Sequence, residues 1–353
     1  MADPIDEAWV RDRLVTYGHS FPHGTGLPDP AGYYPQIVAA RFGMTYPTDG
    51  DVDLNRAVGG SHAEAAADVM LTGQPWTSSK QLGGDTVLLI QALINTARRH
   101  GVDAVTRQGA EHALRTMCAL GSSLEVIPDS ADLFDYSAAW STVTSGDFHG
   151  GSYRTTTTAN HYVVFTVPAD GCHFLTAARK AGVSPVVLEF MRLDTGEVIR
   201  TWTNVDQAQA GISRNYAAAA IPLRVPAGTR VRVRLISGYH LVCDGLVVPA
   251  ARPAPIVLMK EPYLADYTTS TAFPNGSDEA LDYFNELVDV MAAEFPNVLA
   301  ADPNTAGYWD KLTHILPDGV HPNADGHQAL ADTLVDAVRA QLLVKSYAAG
   351  LTV

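Results

Sequence analysis

Two hydrophobic periods divide the chain. Up to about residue 134, short apolar runs alternate with segments of helical spacing: Leu14 to Tyr17 and Val87 to Gln91 read as strands, Gly32 to Phe42 and Ala104 to Leu120 as helices. Such alternation predicts a parallel sheet covered by helices. From about residue 135 to 252 the period falls to two. Arg230-Val231-Arg232-Val233-Arg234-Leu235 sets its apolar members on one face and its arginines on the other. Tyr162 to Val167, Val186 to Phe190, Val198 to Trp202 and Leu241 to Val248 read as further strands, separated by turn signals such as Pro226-Ala227-Gly228.

After residue 253 the first pattern resumes. Pro255 to Met259 reads as a buried strand and Asn297 to Ala300 as the last one. Between them Ser277 caps a helix whose first turn carries Asp278 and Glu279, suited to the positive end of its dipole. Its apolar residues Leu281, Phe284, Leu287, Val288, Met291 and Phe295 form one stripe, and a final helix is marked by Leu330, Leu334, Val335, Val338 and Leu342. The expected fold is therefore a flavodoxin-like three-layer α/β/α domain in two parts, 1–134 and 253–353, interrupted by an antiparallel, jelly-roll-like β-sandwich at 135–252.

Composition narrows the partners. The 353 residues are 46% hydrophobic and 18% charged, as in a globular chain with room for two domains. A net charge of −14 with no basic cluster argues against nucleic acid or an anionic membrane surface as partner. There is no apolar run of about 18 residues, the length a membrane-spanning helix needs. The acidic start Met1-Ala2-Asp3-Pro4-Ile5-Asp6-Glu7 lacks the layout of a secretory signal. Cys118, Cys172 and Cys243 match neither a disulfide framework nor a metal spacing; Cys172 and Cys243 could pair, but the preferred reading is buried free thiols.

The chemistry is concentrated at the two ends. In Leu316-Pro317-Asp318-Gly319-Val320-His321-Pro322, a carboxylate stands three residues before a histidine, on a Gly/Pro-stiffened loop at the mouth of the last helix. An imidazole there can serve as general base, with Asp318 fixing its tautomer and stabilising the imidazolium. At the other end Gly18-His19-Ser20 closes the first predicted strand, where open α/β sheets hold their ligands.

Read together, these two ends resemble the SGNH (GDSL-like) hydrolases, whose four blocks supply Ser, Gly, Asn and His. Block one is Gly18-His19-Ser20, with His19 where the family has aspartate. Block two resembles Asn55-Arg56-Ala57-Val58-Gly59-Gly60-Ser61, with Gly60 preferred over Gly59 as donor. Block three is best matched by Asn95 in Leu93-Ile94-Asn95-Thr96, after the apolar run. Gly83-Gly84-Asp85 is nearer in letters but precedes that run. The resemblance implies a serine ester hydrolase with Ser20, His321 and Asp318 as triad and Ser20, Gly60 and Asn95 as oxyanion hole, acting without a cofactor on a small acyl ester or an acylated polysaccharide. The Gly-His-Ser variant, the β insert and the arginine-rich, lysine-poor usage also resemble tail-associated esterases of actinobacterial phages, which implies an extracellular or virion-associated setting. The rival expectation is a non-catalytic binding module on the same scaffold.

His19 and His62 are the candidate pocket residues. His19 and His23, four apart on a Gly/Pro-rich loop, do not share a helical face, so no metal site is expected from them. His327 reads as a surface residue of the last helix. Trp140, Tyr153, Trp202, Tyr216 and Tyr239 are read either as sugar-stacking residues or as core.

Overall fold

The computed structural model describes residues 13–46, 54–72, 86–145, 148–179, 185–204, 216–251, 253–267 and 270–348. The chain divides into two compact units. One comprises Met1–Ala66, Leu82–Asp103 and Ala254–Val353, the other Ala67–Gln81 and Ala104–Pro253.

The first unit is built on four parallel strands, β1 (Arg13–Gly18), β2 (Thr86–Gln91), β3 (Ile256–Met259) and β4 (Val298–Ala301), paired in that order. β2 and β3 are buried along their whole length. Strands covered on both faces have no polar side to alternate with, hence their continuous apolar runs. Residues 54 to 58 run along the other edge of β1: the Thr16 amide donates to the Leu54 carbonyl, and the amides of Arg56 and Val58 donate to the carbonyls of Thr16 and Gly18. The chain thus lies on one side of β1 in this segment and on the other in β2. The carboxyl end of β1 is a switch point, the place where such sheets form a crevice.

Four helices of this unit are α1 (Tyr34–Arg41), α2 (Ile94–His100), α3 (Asp278–Glu294) and α4 (Ala324–Ala348); α1 packs on α4 and α2 on α3. The Ser277 hydroxyl accepts the Ala280 amide at 3.0 Å and so caps α3. Its stripe Leu281, Phe284, Leu287, Val288 and Met291 is buried, and so is Asn285 beside it. In α4, Leu330, Leu334, Val335 and Val338 are buried, while the side chain of Leu342 lies outside the described residues.

The second unit contains antiparallel sheets of five, four and three strands. In the strand Arg230–Ser237, Val231, Val233 and Leu235 are buried, and the outward Arg234 meets Glu189 at 2.8 Å. Those three join Phe165, Phe174, Phe190 and Leu246 in one core, which draws on both the five- and the four-stranded sheets. Tyr153 and Trp202 are core residues as well, at 5% exposure each. Cys118, Cys172 and Cys243 are buried thiols that form no disulfide.

Two details differ from the sequence reading. Leu241 to Val248 forms two strands, Leu241–Cys243 and Gly245–Pro249, because the first pairs in the three-stranded sheet and the second in the four-stranded one; Gly245 takes a positive φ at the join, where a Cβ would lie 2.1 Å from the Ile127 carbonyl oxygen. The helix Ala104–Gly121 groups with the β-rich unit, ahead of residue 135 where the period changes. It packs on the alanine-rich strand Tyr216–Pro222, whose small side chains let the Thr116 hydroxyl accept the Ala220 amide at 2.9 Å.

Gly18 locks β1 to β2. Its φ is +147° and a Cβ there would lie 1.8 Å from the Gln91 carbonyl oxygen. Gly43 also has a positive φ, +67°, but its Cβ position is open to 4 Å. Gly18→Ala is expected to cost roughly 3 kcal/mol or more of stability, and Gly43→Ala about 1 kcal/mol. Chemical denaturation of both variants checks this, and equal losses would contradict the close approach.

Candidate active site

Directly after β1 the chain turns. His19 is extended, and its Nδ1 accepts the Phe21 amide at 3.2 Å, capping the helical turn Ser20–His23. Ser20 therefore opens that turn at the strand end. It is 7% exposed, and its Oγ lies 3.1 Å from Nε2 of His321.

His321 comes from a tight loop. The Gly319 amide donates to the Leu316 carbonyl, and the Leu316 amide to the His321 carbonyl. Nδ1 of the ring lies 2.6 Å from Oδ2 of Asp318, while Oδ1 accepts the amides of Val320 and His321, each at 2.9 Å. Partial burial pushes the Asp318 carboxyl up, but the Val320 amide, the His321 ring and the His321 amide outweigh it and hold it below the usual carboxylate range. The loop ends at α4, where the Asn323 side chain accepts the Gly326 amide at 2.9 Å. Gly326 has no room for a Cβ, which would lie 2.1 Å from the His314 carbonyl oxygen.

The residues of blocks two and three meet at Ser61. Its hydroxyl donates to the Gly18 carbonyl at 2.7 Å, and its own carbonyl accepts one N–H of Asn95 at 3.0 Å. Gly60 has φ +76°, a backbone requirement and not a matter of space, since its Cβ position is open. Asn95, at 3% exposure, sits in the first turn of α2. The competing Gly83-Gly84-Asp85 lies outside the described residues. His62 is buried with its ring centroid 6.1 Å from His100 and 6.3 Å from Phe273.

His19 is fully buried, with Nε2 2.9 Å from Oε2 of Glu261. His23 instead lies 3.3 Å from the Thr25 hydroxyl, so the two rings do not converge. Among the described residues no group of three or more His, Cys, Asp or Glu is arranged to hold a metal ion, and no helix is long and apolar enough to cross a membrane. Glu261 is the residue that sequence reasoning missed. Its position two residues beyond the buried strand β3, at the carboxyl edge of the sheet, was the available signal.

The reading of His327 as a surface residue is corrected. It is fully buried, its Nδ1 accepts the Tyr34 amide at 3.2 Å, and its ring stacks on that of Tyr34. Its spacing of three and seven to Leu330 and Leu334 puts it on the apolar stripe of α4.

Chemically, a carboxylate on Nδ1–H leaves Nε2 with a lone pair toward the Ser20 hydroxyl, a tautomer assigned from the partners. Such a chain can draw the proton from the hydroxyl and stabilise the imidazolium that results.

No family model matches the sequence, and no curated protein matches it. Among solved structures the chain is similar to the porcine torovirus hemagglutinin-esterase, with 10% identity, TM-score 0.41 and coverage of 92% of this chain and 87% of that one. It is similar to TesA with 10% identity, TM-score 0.41 and coverage of 93% and 98%. A two-domain esterase (CEX) active on acetylated mannans gives 10% identity, TM-score 0.34 and coverage of 68% and 92%.

His327 makes the first unit acid-sensitive. Burial first, and then the nearby His321, push its pKa from the ordinary 6.5 down to about 4. As pH falls the unfolded chain takes up this proton before the folded one, so the stabilisation is complete above pH 6.5 and is lost from there down to about 4. Between pH 7.5 and 4.5 the wild type should lose about 2 kcal/mol more than His327→Gln, which keeps an acceptor but does not titrate. Denaturant titrations at the two pH values measure the difference. Equal losses would contradict it.

Proposed function

We propose that the chain is a serine ester hydrolase of the SGNH type, with a flavodoxin-like first unit and a jelly-roll-like second unit. The observation that carries this reading is the unbroken series from Asp318 to His321 at 2.6 Å and from His321 to Ser20 at 3.1 Å. Ser20 is the nucleophile, His321 takes its proton and returns it to the leaving alcohol, and Asp318 orients and stabilises the ring. A carboxylate held ionised by three N–H donors suits that last task. The reaction needs no cofactor.

Attack on an ester carbonyl places negative charge on its oxygen. The backbone N–H groups of Ser20 and Gly60 and the second N–H of Asn95 are the proposed donors, and one such donor is worth roughly 3 to 4 kcal/mol in comparable enzymes. The bond from Asn95 to the Ser61 carbonyl supports this reading, because it fixes the amide beside Gly60 while using only one of its two hydrogens.

The substrate is proposed to be an acyl ester, in small form or on an acylated polysaccharide. In the second unit, read as carbohydrate-binding-like, Tyr239 is 49% exposed and offers an aromatic face of the amphipathic kind. If that unit captures a polymer, remote binding energy raises the rate on the polymer and not on a small aryl acetate.

Ser20→Ala and His321→Ala should each lower kcat on a short-chain aryl acetate by roughly 1,000-fold or more, and Asp318→Asn by less, with the fold intact. Steady-state kinetics with circular dichroism test this. More than about a hundredth of wild-type kcat in Ser20→Ala would overturn the assignment. A wild type inactive on every short acyl ester would favour the non-catalytic binding module instead.

A further inference from the structure

Block one carries a histidine where the family resemblance leads one to expect a carboxylate, and the fold supplies a carboxylate from elsewhere. Glu261 is fully buried. Both of its oxygens are engaged: Oε2 faces Nε2 of His19 at 2.9 Å, and Oε1 accepts the Leu93 amide at 2.6 Å. His19 immediately precedes Ser20. Leu93 immediately precedes α2, whose second residue is Asn95. One carboxylate thus ties the segment bearing the hydroxyl to the segment bearing the side-chain amide.

The main chain that bears this carboxylate is itself held from behind. Asn285 accepts the Glu261 amide at 2.7 Å and donates to its carbonyl at 2.9 Å, and Asn304 donates to the same carbonyl at 2.9 Å. This accounts for a buried asparagine on the apolar stripe of α3. The protonation is also fixed, because Nδ1 of His19 accepts the Phe21 amide and the ring proton must therefore be on Nε2, donated to Glu261. A neutral amide in place of the carboxylate cannot accept from both His19 and Leu93 with two oxygens, since one of its two atoms is now a donor. Charge-assisted bonds of this kind are about twice as strong as neutral ones, so the link is stiff as well as directional.

We infer that Glu261, acting through His19, is a positioning residue that sets the Ser20 hydroxyl against the Asn95 amide. The inference rests on the hydrolase reading above. Neither residue touches the reacting atoms, so the link acts on turnover and not on substrate affinity. A purely structural pair would lower the melting temperature and leave the turnover of the folded protein unchanged.

The test is kcat, KM and melting temperature of the full chain on a short-chain aryl acetate, for the wild type, Glu261→Gln, His19→Gln, His19→Ala, Asn95→Ala and the double variant Glu261→Gln/Asn95→Ala. Folded Glu261→Gln should lose roughly tenfold or more in kcat with KM changed less than about threefold. His19→Gln, which still offers an N–H near the Nε2 position, should keep several-fold more kcat than His19→Ala. Adding Glu261→Gln to Asn95→Ala should cost less than it costs in the wild type, because residues acting as a unit are non-additive. A kcat for Glu261→Gln within about threefold of wild type, or fully additive losses, would overturn the inference. Should Glu261→Gln fail to fold, equal kcat for His19→Gln and His19→Ala overturns it. An inactive wild type removes the hydrolase reading and this inference with it, whereas an active wild type with an unaffected Glu261→Gln removes the inference alone.

Discussion

The hydrogen bond between Ser20 and His321 joins residues 301 positions apart, and it can form only if both come to the same edge of one sheet. Parallel pairing provides that edge, because every strand ends on the same side. Ser20 follows β1, Asn95 follows β2, Glu261 follows β3, and the loop bearing Asp318 and His321 lies between β4 and α4. Each strand of the sheet is thus followed by at least one polar group of this cluster. The local turns then set the detail, above all Gly18, where any side chain would strike the backbone of β2.

Two carboxylates serve this edge in different surroundings. Asp318 keeps 47% of its side chain exposed and is satisfied by three nearby N–H donors, all from its own loop. Such a group can stay ionised beside a ring that gains and loses a proton. Glu261 is fully buried and draws its donors from two segments distant in sequence. Burying a charge is costly unless it is paired and hydrogen-bonded, so the elements around it are constrained to keep both donors in place. The first arrangement suits proton chemistry and the second suits rigidity.

The sequence made legible what is local. The stripe of α3, its serine cap, the alternation in Arg230–Ser237 and the spacing of Asp318 to His321 are short-range patterns, and each has its counterpart in the structure. The glycine and asparagine blocks were harder, because what links them, the Ser61 bridge from Gly18 to Asn95, spans three segments. Glu261 and His327 were missed for one physical reason. A polar residue on an otherwise apolar strand end or stripe looks like a solvent contact until its partner is known, and the partners here are His19 and Leu93 in one case and Tyr34 in the other. The helix Ala104–Gly121 fits either unit by its period alone; only its partner strand shows which one it packs with.

In the proposed mechanism His321 activates the Ser20 hydroxyl. A fluorophosphonate reacts covalently with a serine so activated, and peptide mass spectrometry locates the adduct. One adduct per chain is expected, on Ser20, formed by the wild type and strongly slowed in His321→Ala. No adduct on Ser20, or one that forms at the same rate without the imidazole, would contradict it.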